Sequence, residues 1–409
     1  MKEISGGVCA PKGFRAGGIW SGIKADSRKR DLALIYSEKS CAAAAVFTTN
    51  RVKAASVLVS REHISGGKLR AIIANSGNAN ACTGEAGMAA ARRMAELAAD
   101  EFAISQKEVA VASTGVIGVP LPVAAIESGV SSLAASLRSD QAGHEAALEA
   151  IMTTDTRKKG GAVEVVLDGV PVRIGAMVKG SGMIHPSMAT MLGFITTDAA
   201  ISPAMLDAAL RRAVRRSFNR LTIDGDTSTN DTVIIMANGE AGNSPLADGG
   251  PLFETFVLAL ENLCVSLARA MARDGEGATK LVTVTVGGAE SEDAAETLAK
   301  SAASSSLVKA ACFGADANWG RILCAMGYAG VPFDPEKTSI CFASAAGEIS
   351  VFTDGAPVPF SEDLAKKILS EDEIEIRINA GSNNPGGNAV VWGCDLTCDY
   401  VKINGDYRS

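Results

Sequence analysis

The chain has 409 residues, and its 46 acidic residues outnumber its 39 Lys and Arg, which gives a formal net charge of −7. This balance argues against a nucleic-acid partner, because a protein that binds a polyanion needs an excess of Lys and Arg. Hydrophobic residues make up 47% of the chain and charged residues 21%, which predicts a large folded core and excludes disorder as the main state. The length predicts at least two domains.

Composition also predicts the cellular compartment. Residues 1–15 lack the basic start and long apolar core of a signal peptide. The most Ala-rich apolar run, residues 41–47, is far shorter than the roughly 20 residues that span a bilayer. The nine Cys contain no CxxC pair and are typical of reduced thiols. We therefore expect a cytoplasmic protein without a membrane contact, and we expect Cys394 and Cys398 on one face of a strand.

Short apolar strands alternate with helical patterns along the sequence, which predicts a layered α/β fold. Strands are predicted at residues 32–36, 71–74, 109–112, 191–196, 232–236, 281–286, 338–342, 349–353, 374–379 and 389–397. Helices are predicted at residues 84–102, 123–137, 145–152, 203–218, 252–273 and 293–301. The Asp168-Gly169 pair inside the apolar stretch 163–178 predicts a hairpin. We predict a main α/β domain over residues 1–280 and a smaller C-terminal α/β domain over 281–409.

Several common catalytic sites lack their sequence signatures. The three His residues, His63, His144 and His185, include no HExxH or HxE arrangement for zinc, and the sequence has no GxSxG elbow and no Walker loop. The string GSGMIH at 180–185 lacks the third glycine of a dinucleotide site. The acidic loop DGDTSTND at 224–231 lacks the glycine that an EF-hand needs at its sixth position. We therefore expect no metal and no cofactor, and Thr becomes the candidate nucleophile.

The segment VKGSGMIHPSMATML at 178–192 is a glycine-rich turn that runs into an apolar strand. A Thr hydroxyl in a strained turn can attack the preceding carbonyl, form an ester by an N-to-O shift and lose that ester to water. Cleavage between Ala189 and Thr190 would give Thr190 a free α-amine, whose usual pKa of roughly 7.7–8.0 suits a general base for its own hydroxyl. A Thr that merely opens a β-strand has the same local pattern.

Longer strings distinguish these two interpretations. They are NSGNAN (75–80), STGVIG (113–118), KGSGMIHPSMATML (179–192), SFNRLTIDGDTSTND (217–231), DGEGATK (274–280), NWGR (318–321) and YVKIN (400–404). Together, and in this order, they resemble the ornithine acetyltransferase family of arginine biosynthesis, nearly from end to end. The sequence departs from that pattern at Ala317, Cys398 and Gly405, where Pro, Tyr and Ala are expected, and none of these is a catalytic position.

The resemblance implies a layered αββα-type sandwich with a self-cleaved N-terminal Thr nucleophile. Cleavage at Ala189-Thr190 would give fragments of 189 and 409 − 189 = 220 residues. Thr190 is then expected to carry acetyl from N2-acetyl-L-ornithine to L-glutamate by a ping-pong reaction. Thr114 and Gly115 match the oxyanion hole of the family. The implied substrate contacts are Thr153 (or Thr154), Lys179, Thr190, Glu276, Asn404 and Ser409.

Other functions stay open at this point. Bifunctional family members also take acetyl from acetyl-CoA, which would then be a second substrate. An N-terminal-nucleophile amidohydrolase or aminopeptidase would pass the acyl group to water, although Lys179 and Glu276 favour an amino-acid acceptor. A scaffold that has lost its activity is a third alternative. The resemblance also implies a heterotetramer of two N-terminal and two C-terminal fragments.

Overall fold

The computed structural model describes residues 1–185 and 191–406. Its packing divides the protein into two compact units that interleave in sequence. Unit 1 comprises Met1–Gly180, Ser187–Phe218 and Thr227–Leu267, and unit 2 comprises Ser181–Pro186, Asn219–Asp226 and Ala268–Ser409. The predicted domain boundary between residues 280 and 281 stays a prediction.

Unit 1 is built on one mixed sheet. Its strands are β1 (Lys2–Ile4), β2 (Phe14–Ile19), β3 (Leu32–Phe47), β4 (Lys68–Asn78), β5 (Val109–Val116), β6 (Lys159–Leu167), β7 (Val170–Lys179), β8 (Leu192–Thr197) and β9 (Thr232–Ala237). Its helices are α1 (Ala55–His63), α2 (Gly84–Glu101), α3 (Val123–Ala135), α4 (Gln141–Ile151), α5 (Pro203–Arg216) and α6 (Pro251–Arg273), whose last residues belong to unit 2. Within residues 1–185 and 191–406, the strand order of this sheet is β1-β6-β7-β8-β9-β3-β4-β5, with β2 also paired to β3.

Strand β3 connects two parts of this sheet. Its first residues pair with β4 and its last residues, from Ala42 to Phe47, pair with β9, with a register shift between Tyr36 and Cys41. The sequence predicted a strand that ends at residue 36. The prediction was too short because exposed Glu38 and Lys39 interrupt the apolar pattern where the shift lies.

The two faces of the sheet bury different side chains, as the alternation of strand residues requires. Ile73 and Val111 pack with Met94 of α2 in one core cluster. Ile72, from the opposite face of β4, belongs to a second cluster that also contains Phe194 of β8. Both faces are therefore covered, and the predicted α/β fold class is confirmed.

The hairpin of β6 and β7 forms as predicted. Asp168 and Gly169 have φ angles of 50° and 79°, and the strands pair in register from Leu167 and Val170 outward. Positive φ at both turn positions matches the right-handed twist of the strands. The hairpin carries Lys179 to the far end of β7.

Helix α6 is, in the part of the protein that the structure describes, the one helix long and apolar enough to cross a membrane by length and composition. More than half of its most apolar window is buried inside the protein. Phe256, Leu260 and Cys264 are completely buried. These are the properties of a core helix.

Unit 2 contains a second mixed sheet. Its strands are β10 (Leu281–Ala289), β11 (Ser339–Ser344), β12 (Gly347–Thr353), β13 (Ala356–Pro357), β14 (Glu373–Asn379) and β15 (Gly387–Cys394). Its helices are α7 (Glu292–Ser304), α8 (Ser306–Gly314), α9 (Trp319–Gly327), α10 (Glu362–Leu369) and α11 (Cys398–Gly405). In the described residues the strand order is β13-β12-β11-β14-β10-β15. Val284 and Ile376 of the sheet share one core with Leu298, Ile322 and Ile368 of the helices.

The predicted placement of Cys394 and Cys398 on one strand is wrong. Strand β15 ends at Cys394, and the Thr397 hydroxyl accepts the Tyr400 N–H at 3.3 Å as the N-cap of α11. Thr is a good N-cap because its oxygen satisfies a main-chain donor of the first helical turn. Within the described residues, no group of three or more His, Cys, Asp or Glu is arranged to hold a metal ion.

Candidate active site

The parallel strands β4 and β5 end side by side, and two of the distinctive strings lie at these ends. Gly77 pairs with Gly115 across the ladder. Gly115 has a φ of 134°, and a Cβ at this position would lie 2.3 Å from the Gly77 carbonyl carbon. Only glycine fits such a close approach of two backbones. The approach fixes the turn that carries Thr114, which is 4% exposed.

The acidic loop at 224–231 contributes Asn230 to this region of unit 1. The Asn230 side-chain amide donates to the carbonyls of Ala79 and Ser113, each at 2.7 Å. One buried amide therefore connects the residue after the end of β4 with the residue before Thr114. Part of the loop is therefore a structural support. The sequence alone did not predict which groups it holds.

Lys179 ends β7 and lies beside Thr114. Its Nζ donates to Thr114 Oγ1 at 3.3 Å, and both residues are buried. The structure thus brings together two residues that are 65 positions apart in the sequence. A buried ammonium next to a hydroxyl makes that hydroxyl a stronger donor to a developing negative charge.

Asp155 is a buried carboxylate next to Lys179, and the sequence patterns did not indicate it. Its Oδ2 accepts the Thr153 N–H at 3.0 Å and lies 4.0 Å from Lys179 Nζ. Its Oδ1 accepts from Lys159 Nζ at 2.6 Å and from the Gly180 N–H at 2.7 Å. Asp155 therefore contacts two of the predicted substrate residues, Thr153 and Lys179.

Lys24 is a further partly buried cation in this neighbourhood. Its Nζ donates to the carbonyls of Arg30 at 2.9 Å and Met152 at 2.7 Å. Burial lowers the pKa of Lys24 to about 8, and the charge of Lys179 acts in the same direction, although Asp31 opposes both. The positive charges of Lys24 and Lys179 therefore repel each other in this neighbourhood.

Asp231 lies at the start of β9 and holds Met191. The Met191 N–H donates to Asp231 Oδ1 at 3.1 Å. Burial raises the pKa of Asp231 well above its usual value, against the opposing effects of the Met191 N–H, the Thr48 hydroxyl and Lys179. The second residue after the predicted cut is thus fixed to a carboxyl group.

Glu276 and Asn404 meet within unit 2. The Asn404 side-chain amide donates to Glu276 Oε2 at 2.8 Å, and the Glu276 N–H donates to the Ser181 carbonyl at 2.8 Å. A Cβ at Gly182 would lie 2.3 Å from the Glu276 carboxylate, so any larger residue there would displace that carboxylate. The carboxylate and amide together can receive an ammonium group.

Asp224 supports the neighbouring segment of unit 2. Its carboxylate accepts the N–H groups of Met183 at 2.5 Å and Ile184 at 2.8 Å, and the Tyr400 hydroxyl donates to it at 3.2 Å. Burial raises the pKa of Asp224, against these N–H groups, and burial together with Asp224 raises the pKa of Tyr400. The two ends of the acidic loop, Asp224 and Asp231, therefore accept main-chain donors on either side of residues 186–190.

His185 belongs to unit 2, where its Nδ1 lies 3.2 Å from the Thr222 hydroxyl. Burial, assisted by Lys300, lowers the pKa of His185. Three further predicted residues lie outside the described part of the protein: Ala189 and Thr190, the predicted cleavage site, and Ser409, a predicted substrate contact.

Asp155 belongs to a short string that occurs twice in the sequence. The string TTD occurs at 153–155 and again at 196–198. Asp155 and Asp198 are both completely or almost completely shielded carboxylates that accept main-chain N–H groups. Asp side chains readily accept nearby main-chain N–H groups, and a string of three residues is too short to predict which ones. The charged neighbours of Asp155 come from other elements and have no signature in the sequence.

Comparison with known proteins identifies relatives over the whole sequence. A profile of the ArgJ family matches residues 15–409. The arginine biosynthesis bifunctional protein ArgJ of Symbiobacterium thermophilum is 51% identical over 412 residues, and the match covers 100% of both proteins. The protein of the same name from Caldanaerobacter subterraneus subsp. tengcongensis is 49% identical over 409 residues, again with 100% of both proteins covered.

A solved structure of the same kind is also similar. Ornithine acetyltransferase of Mycobacterium tuberculosis, crystallised with ornithine, is 43% identical, and the match covers 44% of this chain and 95% of that chain with a TM-score of 0.41.

These relatives define the protein as a biosynthetic acyltransferase. The chain belongs to the ArgJ family. The resemblance inferred from the sequence is thereby confirmed, as is the prediction of an acyltransferase in arginine biosynthesis.

Proposed function

We propose that the protein moves an acetyl group from N2-acetyl-L-ornithine to L-glutamate through an ester on Thr190, after it has cut its own Ala189-Thr190 bond. The observation that carries this proposal is the buried contact of 3.3 Å between Lys179 Nζ and Thr114 Oγ1. Family membership over residues 15–409 supports the same reaction.

Self-cleavage produces the nucleophile. The Thr190 hydroxyl attacks the Ala189 carbonyl, the peptide C–N bond breaks, and the nitrogen takes a proton to become the α-amine. Water then hydrolyses the ester, which leaves a carboxylate on Ala189 and restores the hydroxyl. The new α-amine accepts the hydroxyl proton in each later attack, because its usual pKa lies close to neutral pH.

Acetyl transfer proceeds in two balanced half-reactions. Thr190 attacks the acetyl carbonyl of acetylornithine, the amide C–N bond breaks, and ornithine leaves with the proton on its amine. The amine of glutamate then attacks the ester, acetylglutamate forms, and Thr190 regains its hydroxyl. In both tetrahedral intermediates, the Thr114 hydroxyl and the Gly115 N–H are the proposed donors to the oxyanion.

Lys179 suits both substrates for one chemical reason. In N2-acetylated amino acids the acetylated nitrogen and the carboxylate are bonded to the same α-carbon. A cation next to the oxyanion donor Thr114 can therefore bind the α-carboxylate of either substrate. We propose Thr153, Glu276, Asn404 and Ser409 as further substrate-binding residues, and the Glu276–Asn404 pair can accept an ammonium group.

A second activity is favoured by the relatives, two of which are named bifunctional at 51% and 49% identity. We propose that acetyl-CoA is an alternative acetyl donor to Thr190, with glutamate again as the acceptor. An amidohydrolase or aminopeptidase would instead release acetate or an amino acid to water.

One assay with both donors separates these activities. Purified protein is incubated with glutamate and either acetylornithine or acetyl-CoA, and acetylglutamate, ornithine, free thiol and acetate are measured. We expect one acetylglutamate for each ornithine released and little acetate. Acetate without acetylglutamate would contradict the transferase, and no thiol release would contradict the second activity.

We further propose that the protein is cytoplasmic, binds no nucleic acid and forms a heterotetramer of two N-terminal and two C-terminal fragments. The expected mass in sedimentation is twice that of the 41.9 kDa precursor. A mass equal to one precursor would contradict the assembly.

A further inference from the structure

Four charged side chains form a largely buried cluster in unit 1, and we call Asp155, Lys159, Lys179 and Lys24 the Asp155 cluster. The side chains of Asp155, Lys159 and Lys179 are 0%, 1% and 4% exposed. They come from the loop between α4 and β6, from the start of β6 and from the end of β7. The hairpin register of Lys159 opposite Val178 brings the two lysines to the same end.

Asp155 is the shared partner within this cluster. Its carboxylate accepts from Lys159 Nζ at 2.6 Å and from two main-chain groups, the N–H of Gly180 at 2.7 Å and of Thr153 at 3.0 Å. Lys179 Nζ lies 4.0 Å from the same carboxylate. Asp155 thus holds Lys179 twice, through the charge of its side chain and through the backbone of the next residue.

Lys159 and Lys179 supply two positive charges within salt-bridge distance of one carboxylate. Lys24 from the loop after β2 and Asp231 from the start of β9 also interact with the charge of Lys179. Burial acts to raise the pKa of Asp155, but Lys179, Lys159 and the Gly180 N–H outweigh it and hold that pKa well below its usual value. Removal of this carboxylate would deprive buried cations of a counter-charge.

We propose that Asp155 is a positioning residue for acetyl transfer, which fixes Lys179 beside the Thr114 hydroxyl. This inference rests on the proposed transferase function.

Asp198 provides a matched control in the same sheet. It is also completely buried, and it accepts main-chain N–H groups of Arg173 at 2.8 Å and Lys12 at 3.1 Å. These partners lie outside the Asp155 cluster. Asp198→Asn therefore removes a second buried carboxylate that accepts two main-chain N–H groups, without touching the proposed machinery.

The decisive test is a double-mutant cycle between Asp155→Asn and Lys179→Met, with kcat/KM for acetylornithine measured on protein of known cleaved fraction. We expect Asp155→Asn alone to lower kcat/KM about 100-fold, since a small misplacement of a binding group can cost that much. In the Lys179→Met background the same change should alter the residual rate by less than about twofold, because its effect acts through Lys179. Independent, additive losses would overturn the proposal.

The pH profile separates charge from position. Loss of the carboxylate makes a buried ammonium give up its proton more readily, so the alkaline limb of kcat/KM in Asp155→Asn should shift by about one pH unit or more to lower pH. Adding Lys159→Met to Asp155→Asn restores the original sum of charges in the cluster. The alkaline limb of the pH profile should then return to its wild-type position, while kcat/KM stays low. Asp198→Asn should keep the wild-type limb. A wild-type limb in Asp155→Asn would overturn the proposal.

These experiments distinguish failure of the positioning role of Asp155 from failure of the proposed transferase function. If wild-type protein transfers no acetyl group, the proposed function itself fails. If wild type is active and Asp155→Asn does not fold, the Asp155→Asn/Lys159→Met protein, with its charge sum restored, carries the test: wild-type kcat/KM in that variant would overturn the positioning role, and a loss of about 100-fold with an unchanged limb would support it.

Discussion

The main-chain N–H of Met191 donates to the buried carboxyl group of Asp231 at 3.1 Å. The N–H of Thr232, the next residue of β9, donates in turn to the Met191 carbonyl at 3.1 Å. Met191, which directly follows Thr190, is therefore held on both sides by the start of one strand. Such fixation holds the residue that follows the proposed cut in one position.

Asp231→Ala should slow self-cleavage by about tenfold or more, because the buried Met191 N–H loses its acceptor. Asp231→Asn keeps an acceptor oxygen and should cleave faster than the Ala variant. A time course of the precursor band on denaturing gels measures both rates. Equal cleavage rates in the Ala variant and wild type would remove Asp231 from the cleavage step.

Wild-type protein should run as two fragments, and the second should begin at Thr190. Thr190→Ala should remain at full length without transferase activity, whereas Thr190→Ser keeps a hydroxyl and should still be cut. Gel mass and N-terminal sequencing measure the outcome. An intact wild-type protein that transfers acetyl would contradict the N-terminal nucleophile.

Thr114→Ala should lower kcat by about 100-fold or more, in line with the loss of one oxyanion donor, and should leave the fold intact. Thr114→Ser is the matched control, since it keeps the hydroxyl that accepts from Lys179. Steady-state kinetics and circular dichroism are the measurements. Unchanged turnover in the Ala variant would assign the oxyanion hole to other groups.

Lys179→Met should weaken both half-reactions, because both substrates present an α-carboxylate to the same cation. Wild type should give parallel double-reciprocal lines, and acetylornithine without glutamate should leave an acetylated peptide that contains Thr190. Mass spectrometry detects that peptide. Intersecting lines without the labelled peptide would indicate direct transfer in a ternary complex.

His144 should make the protein sensitive to acid. Burial lowers its pKa from 6.5 to about 4, the Val8 N–H donates to its Nδ1 at 3.3 Å, and glycines at 7 and 160 leave room for its ring. The unfolded protein takes up this proton near pH 6.5 and the folded protein only near pH 4, so stability is present above pH 6.5 and falls as the pH drops toward 4. The loss amounts to about 3 kcal/mol.

His144→Gln should reduce this loss. Urea unfolding at pH 7 and pH 5 measures it, in the Thr190→Ala background so that one uncut polypeptide unfolds. The difference between the two midpoints should be smaller in His144→Gln than in the parent. An equal difference would show that other groups cause the acid sensitivity.

Periodic patterns predicted most regular elements of unit 1, because a buried strand or helix face repeats apolar residues at a fixed spacing. The helix predicted at 84–102 and the hairpin at Asp168-Gly169 are confirmed as α2 and β6–β7. Short helices such as α9 were not predicted, because Trp319–Gly327 spans too few turns to give a clear repeat.

The candidate site was predictable where residues form strings and unpredictable where partners are distant. Thr114, Lys179 and Glu276 lie in strings that resemble a family. Asp155 has no such string, and its meeting with Lys179 depends on the packing of a loop against a strand end. Spatial charge pairs between separate elements leave no periodic signal in one sequence.

The strand order of unit 1 has a consequence for biosynthesis of the protein. In the described sheet, β8 and β9 lie between β7 and β3. A cut before Thr190 assigns these two central strands to one product and β1–β7 to the other, which by itself would consist of two groups of strands without a shared ladder. Two separately translated genes would therefore encode halves that each lack a complete sheet. If the proposed cut occurs, folding as one polypeptide has to come first, and we expect the break in the backbone to be a late event that the finished sheet tolerates.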